Sequence, residues 1–349
     1  MDAWYSDHHR AHQGQSELFG GKLVTSFETP QRAGRVLDAF LEAGLGLVYA
    51  PTDAGLAPIL AVHDADYVDF LRGAWDAWHH LGRVHPALPM VWHAGRGLPT
   101  ERPRHIEGQL GYYAMDAGCA IVAGTWPAAY WSAQCAVAAA RAAADATAHG
   151  AAATFAICRP PGHHATARAM GGYCYLNNAA IAAEQLRSLG QPRVAVLDID
   201  YHHGNGTQAI FWARDDVFFT SLHADPHDDY PYFSGHADER GEGDGYGATL
   251  NLPLPAGTQA PAYLAALDEA LDAVDVSGST ATVVSLGVDT FELDPISRFK
   301  LREADYLEIG RRLGRRLPRP VVFVFEGGYA TDEVGRNAVA VLQGFEAAG

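Results

Sequence analysis

The chain is poor in cysteine, in positive charge and in long apolar runs. Its 349 residues hold four cysteines (Cys119, Cys135, Cys158 and Cys174), widely spaced and with no C-x-x-C pair. That argues against a disulfide framework and fits a reducing, cytoplasmic setting. Lys plus Arg number 25 against 41 Asp plus Glu, a net charge of −16. Such an excess of acid argues against non-specific binding to nucleic acid or to an anionic membrane. It would suit a cationic small substrate, although acidity alone does not single one out. The most apolar window, residues 128–150, is broken by Gln134, Arg141 and Asp145 and reads as a core helix rather than a membrane span. No charged segment followed by an apolar one opens the chain, so no signal peptide is expected. With 48% hydrophobic and 19% charged residues, no repeat and no composition break, residues 1–349 read as one α/β domain with insertions.

Taken in order, residues 1–29 carry Ser6-Asp7-His8-His9-Arg10-Ala11-His12, a polar, His-rich stretch. It reads as an ordinary surface loop in preference to a site rim. A helix is expected over 30–44, between Pro30 and Gly44, then a short strand at 47–49 and a helix from about His63 to Trp78. Residues 79–110 lose periodicity, yet Leu88, Met90, Val91 and Trp92 are apolar. A loop this long in a compact domain is usually functional, and its apolar content suggests packing against a second subunit. From residue 132 strands and helices alternate. Helices are expected at 132–149 (ending at Gly150), 177–189, 207–213, 260–275, 303–315 and 331–347. Strands are expected at 153–158, from Val194, and at 217–222, 248–252, 281–287 and 321–325, with a Gly/Asp/Pro-rich loop over 223–247. That alternation predicts a central, mainly parallel sheet with helices on both faces.

The chemistry gathers around Val194-Ala195-Val196-Leu197-Asp198-Ile199-Asp200-Tyr201-His202-His203-Gly204-Asn205-Gly206. An apolar run becomes two acids and two histidines, and buried carboxylates need a cation nearby. On an extended strand Asp198, Asp200 and His202 would share one side, as metal ligands do. Three further strand ends carry reactive groups: Pro161-Gly162-His163-His164, Ser285-Leu286-Gly287-Val288-Asp289 and Glu326-Gly327-Gly328-Tyr329. In open parallel sheets ligands bind at the carboxyl ends of the strands, so all four groups should meet. Asp200, His202 and Asp289 would leave coordination positions open, as catalytic sites do. His163 and His164 could supply base and acid, with Asp198 fixing an imidazole tautomer, and Tyr329 on its Gly-Gly hinge could meet an oxyanion. The set reads as metal-assisted amide hydrolysis. A solvated acidic strand cap explains any one piece but not their conjunction.

These segments, with Cys158-Arg159-Pro160, Gly171-Gly172-Tyr173-Cys174-Tyr175-Leu176-Asn177-Asn178 and Thr290-Phe291, resemble the histone deacetylase family in content and order. The resemblance covers about residues 110–349. Glu107-Gly108-Gln109-Leu110-Gly111-Tyr112-Tyr113 and the loop before it resemble the acetylpolyamine amidohydrolase branch. The resemblance implies the three-layer arginase–deacetylase α/β/α fold and one catalytic Zn²⁺ on Asp200, His202 and Asp289. It implies His164 as general base and acid, His163 as its electrostatic neighbour backed by Asp198, and Tyr329 as the oxyanion-stabilising tyrosine. Tyr173, Phe233, Glu107 and Ile296 would line the substrate tunnel. A structural K⁺ would lie beside Asp198, held by the Ser221 hydroxyl and backbone oxygens of Asp200, His202 and Leu222. The implied substrates are acetylated polyamines, and residues 79–110 would build a homodimer that narrows the tunnel.

The sequence also departs from its relatives. Class I histone deacetylases carry Asp where this chain has Asn205, which the polyamine and class II branches share, and a neutral amide there should make His164 less basic. Some polyamine enzymes have a Glu shortly after the Tyr-Tyr pair, where this chain has Asp116 and Gly118. A catalytically dead acetyl-amine binding protein is one further reading, against which the intact Tyr329, His163 and His164 count, and two others remain open at this point. One is a protein lysine deacetylase or other short-chain amide hydrolase. The other is an arginase-like binuclear Mn²⁺ hydrolase, which would need His203 as a ligand and would leave the tandem histidines without a role.

Overall fold

The computed structural model describes residues 1–92, 101–146 and 153–349. The expected helix end at Gly150 and residues 93–100 of the long loop lie outside the described residues. Eight strands form one sheet: β1 (Asp2–Trp4), β4 (Val48–Tyr49), β5 (Ala153–Ala156), β6 (Val194–Asp198), β7 (Val217–Ala224), β8 (Thr249–Leu254), β9 (Ala281–Leu286) and β10 (Val321–Phe325). Their order is β4-β1-β5-β10-β9-β6-β7-β8, and every pairing is parallel. A separate antiparallel hairpin joins β2 (Ser16–Phe19) to β3 (Lys22–Thr25).

Helices cover both faces, and strand alternation decides which apolar residue goes where. In β6, Val194 and Val196 face a layer with α3 (Ala65–His79), α5 (Thr125–Ala146) and α6 (Asn178–Ser188). Ala195 and Leu197 face the opposite layer with α1 (Pro30–Glu42), α8 (Ala260–Ser277), α9 (Glu303–Arg316) and α10 (Val334–Ala348). Strand β10 divides the same way, Val322 and Val324 against Val321, Phe323 and Phe325. Both faces are apolar, so the central strands read as unbroken hydrophobic runs. Two shorter helices are α4 (Ile106–Tyr112) and α7 (Asn205–Phe211), and a single turn, α2 (Ala57–Leu60), precedes α3. Among the described residues no helix is long and apolar enough to cross a membrane. The four cysteines are buried and unpaired.

The expected elements from residue 153 onward are all present. Residues 1–29 are a correction. They hold the sheet strand β1 and the hairpin, and His9 and His12 are buried at 4% and 2% exposure. Long-range pairing of β1 with β4 and β5, not local pattern, makes Asp2–Trp4 a strand. Helix α5 begins at Thr125, ahead of the expected 132.

Candidate active site

Strands β5, β10, β9 and β6 are adjacent, so the four expected groups do meet at one rim. The route differs from the one expected for Asp200 and His202. Strand β6 ends at Asp198, because the Asp198 carboxylate accepts the Asp200 N–H (3.1 Å) and the Asp200 carboxylate accepts the His202 N–H (2.9 Å). Such side-chain turns curl the chain. Ligand atoms of Asp200, His202 and Asp289 still lie within 4.8 Å of one another.

Backbone donors fix this triad. The Asp200 carboxylate accepts the Gly327 N–H (2.8 Å), and Asp289 accepts the Tyr201 N–H (2.8 Å). His202 Nδ1 stands 3.0 Å from Asp289 Oδ2. A Cβ on Gly327 would lie 2.4 Å from oxygens of both aspartates, so only glycine lets this strand end pass so close. Burial, then the neighbouring Asp200 carboxylate, pushes Asp289 up to about 7. Burial opposes charge on His202 too, but hydrogen bonds and attraction from Asp200 and Asp289 outweigh it and raise it to about 10. Two fully buried carboxylates beside one imidazole carry excess negative charge, which a cation must offset. The donor set, two oxygens and a nitrogen, fits a borderline divalent ion. His203, which a second metal would require, turns away: its nitrogens meet Ser234 Oγ (3.3 Å) and Gln208 Oε1 (3.1 Å).

His163 and His164 leave β5 side by side, their ring centroids 4.0 Å apart. His163 Nδ1 meets Asp198 Oδ2 at 3.0 Å, and His164 Nδ1 meets Asn205 Oδ1 at 2.7 Å. Burial works against charge on His163, yet Asp198 and Asp200 raise it to about 10. Burial, then repulsion from His163 and His202, holds His164 well below the usual imidazole range. The amide oxygen of Asn205 fixes the proton of neutral His164 on Nδ1 and leaves Nε2 as an acceptor.

Tyr329 is buried, and its N–H donates to Asp294 Oδ2 at 2.7 Å. Sequence reasoning passed over the frame behind it. Arg32 of α1 donates to the carbonyls of Gly328 and Glu326 (both 2.6 Å) and lies 4.5 Å from the Tyr329 ring centroid. Glu28 accepts from Arg32 (2.9 Å) and from Arg159 (2.7 Å). The Glu326 carboxylate accepts the N–H groups of Gly162 (2.6 Å) and His163 (3.2 Å), tying the Tyr329 strand end to the histidine turn. Arg32 left one legible signal, since it shares the apolar face of α1 with Val36 and Phe40.

A cavity of about 330 Å³ runs from the surface to His164, His202 and Tyr329. Tyr173 and Ile296, two of the residues proposed for a tunnel, are among its lining, with Glu17, Leu18, Phe19, Asp116, Asp229, Tyr230 and Tyr232. Two expected lining residues are corrected. Phe233 is 93% exposed, and Tyr230, three residues earlier, takes the place beside the histidines, its ring 5.0 Å from His164. Glu107 is paired with Arg83 and lies outside the lining. For the expected K⁺ group, register sets Asp198 opposite Ser221, both fully buried, with Leu222 next in β7. The Ser221 hydroxyl meets His223 Nδ1 at 2.8 Å.

The histone deacetylase domain family matches residues 26–345. Acetylpolyamine amidohydrolase 2 of Pseudomonas aeruginosa is 52% identical over 342 residues, 98% of each chain. Acetylpolyamine amidohydrolase of Mycoplana ramosa is 47% identical over 99% of each chain. A crystal structure of acetylpolyamine aminohydrolase from Burkholderia pseudomallei superposes with a TM-score of 0.93 at 39% identity, covering 100% of this chain and 99% of that one. The chain therefore belongs to the histone deacetylase family, in its acetylpolyamine amidohydrolase branch.

Proposed function

We propose that the protein removes acetyl groups from acetylated polyamines, with one Zn²⁺ held by Asp200, His202 and Asp289. One observation carries the choice of substrate: the cavity wall holds two carboxylates, Glu17 and Asp116, with no ion pair among the described residues. Carboxylates without an ion pair in a cavity wall favour a cationic ligand, and a cavity ending at the histidines suits a linear one. The names of the homologous enzymes point the same way.

A bound divalent ion would acidify a water and polarise the amide carbonyl. His164 takes the proton of the attacking water at Nε2 and returns it to the leaving amine nitrogen. His163, paired with Asp198, keeps a positive charge beside that nitrogen. Tyr329 donates its hydroxyl hydrogen to the oxygen that gains charge. A K⁺ beside Asp198, Ser221 and Leu222 would steady the end of β6. Residues 79–110 would meet a second copy, since Val84, Met90 and Val91 are more than half exposed. The experiment compares turnover of N-acetylputrescine with that of an acetyl-lysine histone peptide, alongside metal analysis. Faster turnover of the diamine and about one Zn per chain are expected. Faster turnover of the peptide would replace the substrate assignment by a protein deacetylase.

A further inference from the structure

Three carboxylates line the cavity, and their partners set them apart. Asp229 accepts from the Arg298 guanidinium (3.0 and 2.8 Å), so its charge is already met. Glu17 accepts the Tyr173 hydroxyl (2.9 Å). Asp116 gathers three donors, all neutral. Oδ1 accepts the Gly118 N–H (2.7 Å), and Oδ2 accepts both the Gly172 N–H (2.9 Å) and the Tyr230 hydroxyl (2.5 Å).

We infer that Asp116 is the specificity-determining residue of the cavity, bracing both aromatic walls and selecting substrates whose chain carries an ammonium group beyond the amide. The bracing half follows from the bonds. Tyr230 stands edge-on to His164, with ring centroids 5.0 Å apart at 90°, so its position sets the gap above the reacting end. Tyr173 follows Gly172 directly and has a φ of +68°, a conformation that a tyrosine holds only when its surroundings fix it. One carboxylate oxygen therefore anchors the phenol of one wall and the backbone turn of the other. The selecting half follows from the charge. A phenol and two amides satisfy the Asp116 oxygens without neutralising them, whereas burial pushes Glu17, another acid of the lining, toward its neutral form. A neutral alkyl chain of equal width gains nothing from the Asp116 charge, whereas an ammonium does.

The inference rests on the amide-hydrolase reading and sharpens it, and its test separates the two. N-acetylputrescine and N-pentylacetamide differ only in a terminal ammonium replaced by methyl. The ratio of kcat/KM between them is measured for the wild type, Asp116→Asn and Tyr230→Phe, each checked by thermal unfolding. Asp116→Asn is expected to lower the preference for the cationic substrate about tenfold, chiefly through KM, as loss of one partly screened charge pair does. Tyr230→Phe removes the hydroxyl but keeps the charge, so it retains the preference while changing kcat. A ratio that survives Asp116→Asn in an active enzyme overturns the inference alone. Equal loss in both variants also overturns it, because Asp116 would then act only through packing. A wild type inert toward acetylputrescine overturns the proposed function and this inference with it.

Discussion

The floor of the cavity is assembled from four adjacent strand ends and is buried throughout, whereas its mouth comes from the β2–β3 hairpin and loops whose side chains stand partly in water. Asp198, Asp200 and Asp289 are fully buried and bonded to backbone N–H groups or to histidines. At the mouth, Leu18, Phe19 and Tyr232 are 58%, 47% and 53% exposed. A fixed floor holds reacting groups at hydrogen-bond precision, which proton transfer and charge stabilisation require. A mouth needs width and charge but less exact placement. On the proposed function, chemistry and specificity thus fall to separate parts of the chain.

The strongest test of that division is removal of a floor ligand. Asp289→Ala or His202→Ala should cost roughly a thousandfold or more in kcat/KM, with bound metal lost, since on the proposed function the ion would supply the activated water. Elemental analysis beside kinetics checks this, and an inactive variant that keeps its metal would break the assignment of the triad. Tyr329→Phe comes next. It should lower kcat about 10²–10³-fold while metal content and KM stay near wild type, because the hydroxyl acts on charge that develops only during reaction.

The floor was legible in the sequence because its parts are local. Each group of the proposed site sits within a few residues of an apolar run, and parallel connectivity brings such ends together whatever the loops do. The mouth was legible only at Tyr173 and Ile296. Glu17 and Tyr173 meet across 156 residues, Tyr230 and Asp116 across 114, and neither pair leaves a periodic trace. Choosing Phe233 over Tyr230 illustrates the difficulty. In a strand, alternation says which side chain faces inward, but residues 225–248 form no strand and carry no such code. The first 29 residues misled for a related reason, since the partners that order them lie far along the chain.

A smaller effect probes what steadies the floor. His63 is 2% exposed, and its Nε2 accepts the Asn177 N–H at 2.9 Å. Asn177 in turn donates to the carbonyl of Ala165, just after His163 and His164 (2.9 Å). Burial pushes His63 down to about 4, against backbone carbonyls that pull it up. An unfolded histidine titrates near 6.5, so the unfolded chain binds the proton more readily and acid favours unfolding. The stability from this group is complete above about pH 6.5 and falls away toward pH 4, by up to about 3 kcal/mol. Denaturant unfolding between pH 7.5 and 5 checks it. His63→Gln keeps an acceptor for Asn177 but cannot titrate, so its stability should depend on pH less steeply, by about one proton. An unchanged slope would mean that His63 is not the group being protonated.

The smallest expected effect tests where the mouth ends. Phe233 is nearly free of the protein, although Tyr232 beside it lines the cavity. A ring that touches neither substrate nor core has little to lose, and surface substitutions of this kind usually stay within about 0.5 kcal/mol. Phe233→Ser should therefore leave kcat/KM for acetylputrescine within about twofold and unfolding within that margin. An exposed phenylalanine at a cavity mouth is also a natural contact for a second copy. The measurement is accordingly paired with the molecular mass in solution. A large fall in kcat/KM together with a halved mass would place the ring in a subunit contact and extend the mouth across two chains. A large fall at constant mass would put Phe233 against the substrate itself, restoring it to the tunnel and moving the boundary of the mouth outward.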